Sequence, residues 1–590
     1  MKTSIITFTI ILTCCSLYAK EYHVSPTGLD ANKGSKSHPF KTISAAARIA
    51  QPGDVITVHE GTYREHVNPP RGGTSDDKRI TYQAAPGEKV VIKGSEVVTG
   101  WEKVQNDTWK VTLPNSFFGT HNPFKIEVHG DWFSPIGGKN RVYHTGTVYL
   151  NGHWLTEAAS KEKLLNPVGK TPLWFGEVDD KNTTIYAQFK DVDPNTQTVE
   201  INVREAVFYP QKSGVNYITV RGFTMEHAAP NWAPPTAEQV GLIGTHWSKG
   251  WVIEDNTIRY ATCTGITLGK YGDDFDNRAQ SAVGYVGTIN RALNNGWSKE
   301  NIGHHIVRNN HISHCEQAGI VGSMGAIFSS ITGNTIYEIN RRGLFGGAEM
   351  AGIKFHGAID TVINDNHIYR CGGMGGIWLD WMTQGTRVTG NLLHDNSKDL
   401  FVEVNHGPFL IDHNLFLSRN SIQDWSQGAA YAHNLIAGHI NSRKEKRETP
   451  YFEPHTVEKM KLSNIQHKDA RYYNNLLLEY AYLPKNAHGE NLQAAGNERL
   501  EGVAAKLEEK TDGLWISIPQ IPTAKKRDIV TTELLGKAKI PDAPFQNPDG
   551  TPYRLDTDYF GKERNPENPA LGPFAAQRDK IIHRKVWPKE

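Results

Sequence analysis

The amino-acid sequence predicts an all-β protein, a right-handed parallel β-helix that carries an inserted antiparallel β-sandwich. A motif of a polar residue, Asn, any residue and an aliphatic or aromatic residue recurs through the middle of the chain, at spacings of 20 to 32 residues between Asn310 and Asn434. A short β-rich run precedes each Asn, and a second one follows it. Repeats of about 20–30 residues that contain several short strands and no helical period are typical of solenoids.

The recurring asparagines are expected to be structural. Asn tolerates the left-handed turns that join strands, and stacked Asn side chains form hydrogen-bonded ladders. Leucine-rich repeats also carry Asn, but their LxxLxL spacing is missing here. The eight positions are Asn256, Asn310, Asn334, Asn366, Asn391, Asn414, Asn434 and Asn475.

The N-terminus has the pattern of a secretory signal peptide. Lys2 precedes the mostly apolar run from Ser4 to Leu12, and cleavage is expected after Ala19, which gives a signal of residues 1–19. The adjacent Cys14 and Cys15 leave lipid anchoring as an alternative. The protein is thus expected to be secreted or periplasmic. No later stretch approaches about 18 apolar residues, so no membrane span is predicted.

The rest of the chain is predicted to form four parts. Residues 20–94 read as an N-terminal cap and the first coils, in which Thr42 begins a short amphipathic helix that covers the open end. In residues 95–205 the Asn pattern stops and aromatic residues alternate with turns, which predicts the β-sandwich. Residues 206–480 form the main β-helix, and residues 481–590 form a C-terminal closing segment.

Two interruptions of the main β-helix are expected to be functional. The segments from Tyr271 to Lys299 and from Asn441 to Lys468 are predicted to be long loops. Long loops on one face of a solenoid usually wall a binding cleft.

Composition excludes several classes of protein. Lys and Arg number 64 against 63 Asp and Glu, a net charge of +1, which argues against a nucleic-acid partner. Beyond the signal only Cys263, Cys315 and Cys371 remain. An odd number of cysteines without a CxxC pair excludes a disulfide framework and a cysteine zinc site.

Two carboxylates stand out when successive coils are aligned on their inward aliphatic residues. The aligned runs are Ile353–His356, Ile377–Asp380 and Leu400–Glu403. Period-2 alternation then places His356, Asp380 and Glu403 in one outward column. Stacked strands lie about 4.8 Å apart, close to the 5–5.5 Å between the carboxyls of retaining glycosidases.

Two alternatives remain at this point. An inverting glycosidase needs carboxyls about 6.5–9.5 Å apart, and Asp424 is the candidate two coils beyond Asp380. If Ile422 faces inward, Asp424 faces inward as well, and a slip of one residue reverses this. The other alternative is a pair of solvated surface acids neutralised by Lys354 or His356.

The residues around this pair resemble glycoside hydrolase family 120, the β-xylosidases built on a β-helix with an inserted β-sandwich. The most specific part is GGIWLDW, residues 375–381, followed by FVEVNH, residues 401–406. The resemblance extends in layout over nearly the whole chain after the signal. It implies a retaining mechanism with Asp380 as nucleophile and Glu403 as general acid/base. No cofactor is expected and no metal-ligating residue is assigned, whereas the sequence leaves a structural metal ion open.

Further residues are expected to bind the sugar by the same resemblance. Lys354 would hydrogen-bond a hydroxyl or tune Asp380, whereas Trp378 and Trp381 would shape the sugar site or pack against the next coil. The inserted sandwich is expected to close one side of the pocket. The full substrate-binding set is Glu349, Lys354, His356, Trp378, Trp381 and His406.

The function expected from the sequence is a secreted retaining exo-glycosidase. It would release β-D-xylose, or another sugar on the same scaffold, from the non-reducing end of oligosaccharides such as xylo-oligosaccharides. One alternative is a polysaccharide lyase that acts on a uronate-containing polymer with a Lys or His base and Ca²⁺. Another is a non-catalytic carbohydrate-binding β-helix. The oligomeric state is not predicted.

Overall fold

A computed structural model describes residues 19–138, 140–466, 469–484, 492–519, 526–575 and 581–589. The predicted signal peptide lies outside these residues except for Ala19, so its cleavage stays a prediction. Within the described residues, no helix combines the length and the apolar character needed to cross a membrane.

Three sheets of parallel strands run along the molecule and confirm the β-helix. Sheet 1 consists of Glu21–Val24, Val55–Val58, Ile80–Ala84, Ile218–Arg221, Val252–Glu254, Ile306–Arg308, Ser330–Thr332, Val362–Asn364, Thr386–Thr389, Phe409–Asp412, Ala429–Ala432, Ala470–Tyr473 and Leu492–Ala495. Sheet 2 consists of Gly61–Tyr63, Val90–Lys93, Thr224–Glu226, Thr257–Ala261, His311–Cys315, Thr335–Tyr337, His367–Tyr369, Leu392–His394, Leu415–Phe416, Leu435–Ile436, Leu476–Leu478 and Glu498–Leu500. Sheet 3 consists of Ile243–Gly244, Thr264–Thr267, Ala318–Ser323, Ile353–His356, Ile377–Asp380, Leu400–Glu403, Asn420–Trp425 and His439–Ser442.

The core of the β-helix is a continuous column of inward-facing aliphatic side chains. Ile331 of sheet 1, Ile336 of sheet 2 and Ile353 of sheet 3 are fully buried in it. Each coil packs against the coils above and below, so the apolar column continues from coil to coil.

An asparagine ladder fixes the corner between sheets 1 and 2, as predicted. Asn366 is representative: its Nδ2 donates to Asn391 Oδ1 at 3.0 Å and to the carbonyl of Ile331 at 2.9 Å, and its Oδ1 accepts from Asn334 Nδ2 at 3.0 Å. The ladder also includes Asn497, which the sequence motif did not find. Each Asn therefore satisfies buried backbone groups and sets the register between coils.

The N-terminal end is covered by the helix Ile43–Ile49, which begins where the sequence predicted. The Thr42 hydroxyl accepts a hydrogen bond from the Ala45 N–H at 3.1 Å. Ile43 and Ala46 are fully buried against the first coils, which removes their apolar surface from water.

Residues 95–202 form the inserted β-sandwich. One sheet has the order His153–Trp154, Val148–Leu150, Val199–Asn202, Ser95–Val97, and the other Thr156–Glu157, Leu173–Val178, Asn182–Gln188, Thr108–Pro114, Glu102–Gln105. All pairs are antiparallel except the one between Thr156–Glu157 and Leu173–Val178. Val148 and Ile201 of one sheet and Trp174 and Ile185 of the other share a core. Along the chain, the helix Lys161–Leu165 connects the strands Thr156–Glu157 and Leu173–Val178 of the second sheet.

The prediction of a long loop from Tyr271 to Lys299 is wrong, because this segment contains the helix Ala282–Asn294. Ser281 caps it by accepting from the Gly284 N–H at 3.0 Å, and Tyr285, Ile289 and Ala292 form its buried face. The two glycines within the helix, Gly284 and Gly287, and its short apolar stripe made the helix hard to recognise from the sequence. The second interruption carries a hairpin of Glu448–Tyr451 and Lys461–Asn464.

The C-terminal residues cover the flanks of the β-helix. An antiparallel sheet of Lys506–Lys510, Gly513–Pro519 and Ile581–Trp587 packs on outward-facing leucines of sheet 2. The helix Thr532–Leu535 and the short strands Lys537–Ala538 and Ala543–Pro544 cover sheet 1. Sheets 1 and 2 continue past the boundary predicted at residue 480.

The ladder predicts the effect of removing one asparagine. Asn366→Ala removes the side-chain acceptor of the buried Asn334 backbone N–H and the side-chain donor to the Ile331 carbonyl, at a cost of about 1–3 kcal/mol for each orphaned group. We expect a loss of roughly 3 kcal/mol in the free energy of unfolding, measured as a lower denaturation midpoint. Asn166→Ala, at an exposed position outside the ladder, is the control and should unfold like the parent. Equal midpoints for both variants would contradict the structural role.

Candidate active site

Three neighbouring strands of sheet 3 bring the predicted acids together. Ile353, Ile377 and Leu400 pair in register and point into the core. Asp380 consequently pairs with His356 on one side and with Glu403 on the other. The predicted column is confirmed, and the two carboxylates come from adjacent parallel strands about 4.8 Å apart.

A cavity of about 360 Å³ lies over this column. Trp132, from the inserted domain, forms one wall. Ala282 and Tyr285 of the helix Ala282–Asn294 form a second wall, and Arg447, before the hairpin, forms a third. All three insertions into the β-helix therefore contribute to the pocket, in agreement with their predicted role as walls of a cleft.

Asp380 is held as an anion by two neighbours. Its Oδ2 lies 3.1 Å from Lys354 Nζ and 3.2 Å from His356 Nε2, whereas its Oδ1 has no hydrogen-bond partner among the described residues. Burial alone would raise the pKa of Asp380, but the positive charges of Lys354 and His356 outweigh it and hold that pKa well below its usual range. Oδ1 is buried and makes no hydrogen bond within the described part of the chain, so its lone pairs are not engaged by the protein.

Glu403 has the opposite electrostatic environment. Burial and the negative charge of Asp380 raise the pKa of Glu403 to about 7, against the lowering effect of Arg447, whose guanidinium contacts Glu403 Oε1. Arg447 also binds Glu445 at 2.9 Å, so its charge is shared. The acid beside Asp380 therefore carries a proton up to neutral pH.

Behind Asp380 lies a buried cluster that could also suggest a metal site. Ligand atoms of Glu349, His356 and Asp380 lie within 4.8 Å of one another. The ammonium group of Lys354 stands among them, 3.2 Å from Glu349 Oε1 and 3.0 Å from His356 Nδ1. Lys354 thus supplies the positive charge that this cluster would otherwise require from an ion.

The predicted binding residues divide between the cavity and its support. Glu349, His356, Trp378 and Trp381 line the cavity. Both Glu349 oxygens are buried and make ion-pair contacts without hydrogen-bond alignment, so they retain the capacity to accept hydrogen bonds. Lys354 is fully buried behind Asp380, which agrees with tuning of Asp380 and not with a contact to a sugar hydroxyl.

The two predicted tryptophans both line the cavity and both pack. Trp378 stacks on Phe401 with ring centroids 5.1 Å apart, and its buried Nε1 has no partner among the described residues. Trp381 packs edge-on against Tyr285 at 5.5 Å. Each ring is therefore immobilised by protein contacts while it faces the cavity.

His406 does not lie among the residues that line the cavity. Its Nε2 lies 3.1 Å from the Thr449 carbonyl and 3.0 Å from the Ser463 carbonyl, and its Nδ1 accepts from Gln427 Nε2 at 2.7 Å. Burial lowers the pKa of His406 to about 4, so the ring is neutral. It fastens the hairpin to the β-helix because it can bond both strands at once.

The side chain of Asp424, the candidate for an inverting pair, points into the core. Ile422 pairs with Leu400 and faces the core, so Asp424 faces inward as well. Its Oδ2 accepts from the Tyr431 hydroxyl at 3.0 Å. Asp424 lies outside the residues that line the cavity, and Trp425 takes the position next to Glu403.

Several cavity residues were not identified from the sequence: Trp132, Tyr285, Phe401, Trp425 and Arg447. Trp425 and Phe401 follow from the same strand alignment that located the acids. The others come from insertions, where no repeat fixes the direction of a side chain.

Paired carboxylates in a pocket on a parallel β-helix, with their pKa values shifted apart, are the arrangement found in glycoside hydrolases. Comparison with known proteins agrees: the profile described as "Glycoside hydrolase 120, insertion domain" matches residues 98–201, and a right-handed β-helix profile matches residues 240–436. The solved structure described as "The complex structure of XylC with xylose" is 40% identical, with a TM-score of 0.90 over 96% of this chain and 100% of that chain. The chain belongs to glycoside hydrolase family 120.

Other similarities are more limited. A profile for a protein family of unknown function matches residues 26–68. YwoF of Bacillus subtilis (strain 168), an uncharacterized protein, is 41% identical over 75 residues, which span 13% of this chain and 16% of that protein. A pectate lyase structure, Pel9A, aligns at 13% identity and a TM-score of 0.39 over 95% of this chain and 96% of that chain, which carries no argument about function.

The contact between Arg447 and Glu403 predicts a shift of the pH profile. Arg447→Gln removes a positive charge that stabilises ionised Glu403, so the pKa of Glu403 should rise. We expect the alkaline limb of kcat/KM to move to higher pH by about one unit. The measurement is a pH profile with an aryl glycoside. Arg443→Gln, which removes a charge from the same segment but does not contact Glu403, is the control. An alkaline limb that stays in place in Arg447→Gln would contradict the influence of Arg447 on the pKa of Glu403.

Proposed function

We propose that this glycoside hydrolase is a retaining exo-glycosidase that releases β-D-xylose from the non-reducing end of xylo-oligosaccharides, after export by its N-terminal signal peptide. The observation that carries the proposal is the register of Asp380 and Glu403 on adjacent strands. It places two carboxyls about one strand spacing apart, which is near the separation in retaining glycosidases and shorter than inverting enzymes use.

The first chemical step uses the two acids in different protonation states. Asp380 Oδ1 attacks the anomeric carbon, and the bond from that carbon to the glycosidic oxygen breaks. Glu403 donates its proton to the departing oxygen. Lys354 and His356 hold Asp380 Oδ2, so the nucleophile is oriented and ionised before the substrate arrives.

The second step reverses the role of Glu403. Once Asp380 is esterified, the negative charge that helped to raise the pKa of Glu403 is gone, and that pKa falls. Glu403 then accepts a proton from water, whose oxygen attacks the anomeric carbon and releases Asp380. Arg447 stabilises the ionised form of Glu403 that this step requires.

The choice of xylose rests on the similarity and on the size of the pocket. XylC, which shares 40% of its residues with this chain, has been solved in complex with xylose. The cavity of about 360 Å³ is at the small end of ligand pockets and is walled on several sides, which suits a terminal sugar more than the middle of a polymer. Family membership favours hydrolysis over the lyase alternative, and Lys354 lies behind Asp380 instead of facing a substrate.

Two variants test the roles of the acids. Asp380→Ala should lose at least about 10⁴-fold in kcat on aryl β-xylosides because no nucleophile remains. Glu403→Ala should lose about 10²–10⁴-fold on substrates with poor leaving groups and far less on substrates with good ones. Glu448→Ala, an exposed acid of the hairpin, is the control and should keep parental activity. Equal losses for good and poor leaving groups in Glu403→Ala would contradict its acid role.

The stereochemical outcome tests the mechanism directly. Proton NMR of xylobiose hydrolysis should show β-xylose first, before mutarotation produces the α-anomer. Initial α-xylose would establish inversion and overturn the proposed nucleophile. Turnover of another aryl glycoside in place of the xyloside would keep the mechanism and replace the sugar.

The pKa shifts predict the shape of the pH profile. Glu403 must be protonated for the first step, and its pKa is raised to about 7, so kcat/KM should fall about tenfold per pH unit above pH 7. Asp380 must be ionised, and its pKa is held well below the usual range, so its protonation should cause no acid limb above pH 4. A profile that stays flat up to pH 9 would contradict the assignment of Glu403.

A further inference from the structure

A strongly basic segment borders the cavity. Residues 443–447, with the sequence RKEKR, hold four cations and one carboxylate, whereas the whole chain is balanced at a net charge of +1. The segment, called the basic strap below, directly follows His439–Ser442, the last strand of sheet 3, and leads into the hairpin.

The basic strap lies on one particular side of the catalytic pair. Trp425 pairs with Glu403 on the side opposite to Asp380, and it lines the cavity. The guanidinium carbon of Arg443 lies 3.2 Å from the centroid of the Trp425 ring, and Arg447 lines the cavity itself. If Glu403 protonates the departing oxygen, this is the side on which the aglycone leaves.

The positive charge of the strap is only partly compensated. Glu445 pairs with Arg447 at 2.9 Å and with Arg443 at 3.6 Å. Lys444 and Lys446 are exposed and form no ion pair within the described part of the chain. Lys398, which precedes the strand Leu400–Glu403, adds a further cation. Its Nζ lies 3.2 Å from Gln423 Oε1 and over the ring of Phe401.

An unused donor points to a ligand at the same place. The Trp425 Nε1 is buried in this wall and has no hydrogen-bond partner among the described residues. A buried indole N–H normally has an acceptor. An aromatic ring, a free N–H and a planar guanidinium therefore converge beside the aglycone position.

We propose that the basic strap and Trp425 form an aglycone subsite for a carboxylate, so that the enzyme prefers oligosaccharides with a uronic or aldonic acid next to the scissile bond. This inference rests on the proposed function and names the substrate class of the same site. Arginine binds carboxylates in a planar, bidentate geometry, and unpaired lysines attract an anionic substrate into the cleft. The carboxylate of that sugar reaches the Arg443 guanidinium, which the Trp425 ring holds in place by stacking.

Two matched substrates test the preference. They are 3-carboxyphenyl β-xyloside and the neutral 3-carbamoylphenyl β-xyloside, which differ in the charge of the aglycone. We expect kcat/KM to be about tenfold higher for the carboxylate at low ionic strength, because several cations act together. The ratio should approach one at about 1 M NaCl, where the Debye length is about 3 Å.

The variant R443Q/K444Q/K446Q should bring the ratio of kcat/KM for the two substrates close to one, because the cations that bind the carboxylate are gone. The control K33Q/K36Q/K41Q removes the same charge from exposed residues near the N-terminus, in the first coils, and should keep the parental ratio. A preference that is equal in both triple variants, or one that does not respond to salt, would overturn the subsite.

A binding measurement separates this inference from the proposed function. The inactive Asp380→Ala protein is titrated with the two xylosides, and binding is followed by tryptophan fluorescence. Tighter binding of the carboxylate that is lost in the added strap variant supports the subsite even if no xyloside is hydrolysed. Equal binding of both compounds refutes the subsite, whereas turnover of the neutral xyloside by the parent enzyme still supports the proposed function.

Discussion

The register between successive coils is the constraint on which the active site depends. The asparagine ladder ties each coil to the next through side-chain and backbone hydrogen bonds, and the inward isoleucines and leucines of sheet 3 align with it. Asp380 and Glu403 face the same cavity only because their strands pair without a shift. A slip of one residue would turn one carboxylate into the core. The separation of the two acids is thus set by the fold itself and does not depend on a flexible loop.

An identical backbone position does not give the two acids identical chemistry. Asp380 has two cationic neighbours on the preceding strand, Lys354 and His356, which are fixed by the same register. Glu403 has Asp380 on one side and Trp425 on the other, and its only cationic contact among the described residues is Arg447 from an insertion. The repeat therefore generates the difference in pKa, because each acid meets a different residue on the neighbouring coil.

The difference between the repeating coils and the insertions explains what the sequence could and could not predict. Period-2 alternation and the Asn motif were sufficient for the strands, the ladder and the column of His356, Asp380 and Glu403, because each of them repeats from coil to coil. Trp132, Tyr285 and Arg447 come from insertions whose contacts are tertiary, and no local pattern shows which side chain faces the cavity. His406 shows the limit of a motif: it lies within FVEVNH, residues 401–406, and its ring bonds to carbonyl groups of the hairpin. The sequence around His406 does not show that carbonyl groups of the hairpin lie beside its ring, because the hairpin is distant in sequence.

The coils and the insertions also have different roles: the coils carry the proposed catalytic acids, and the insertions form walls of the cavity that bear on specificity. The two acids proposed to break and form bonds lie on adjacent strands, where a change of register or volume would disturb the core and the ladder together. The walls of the cavity lie on insertions that can change in sequence without moving those strands. Family membership consequently constrains the pair of acids more strongly than the sugar or the aglycone. The basic strap illustrates this point, since its positive charge is confined to one insertion and requires no change in the catalytic coils.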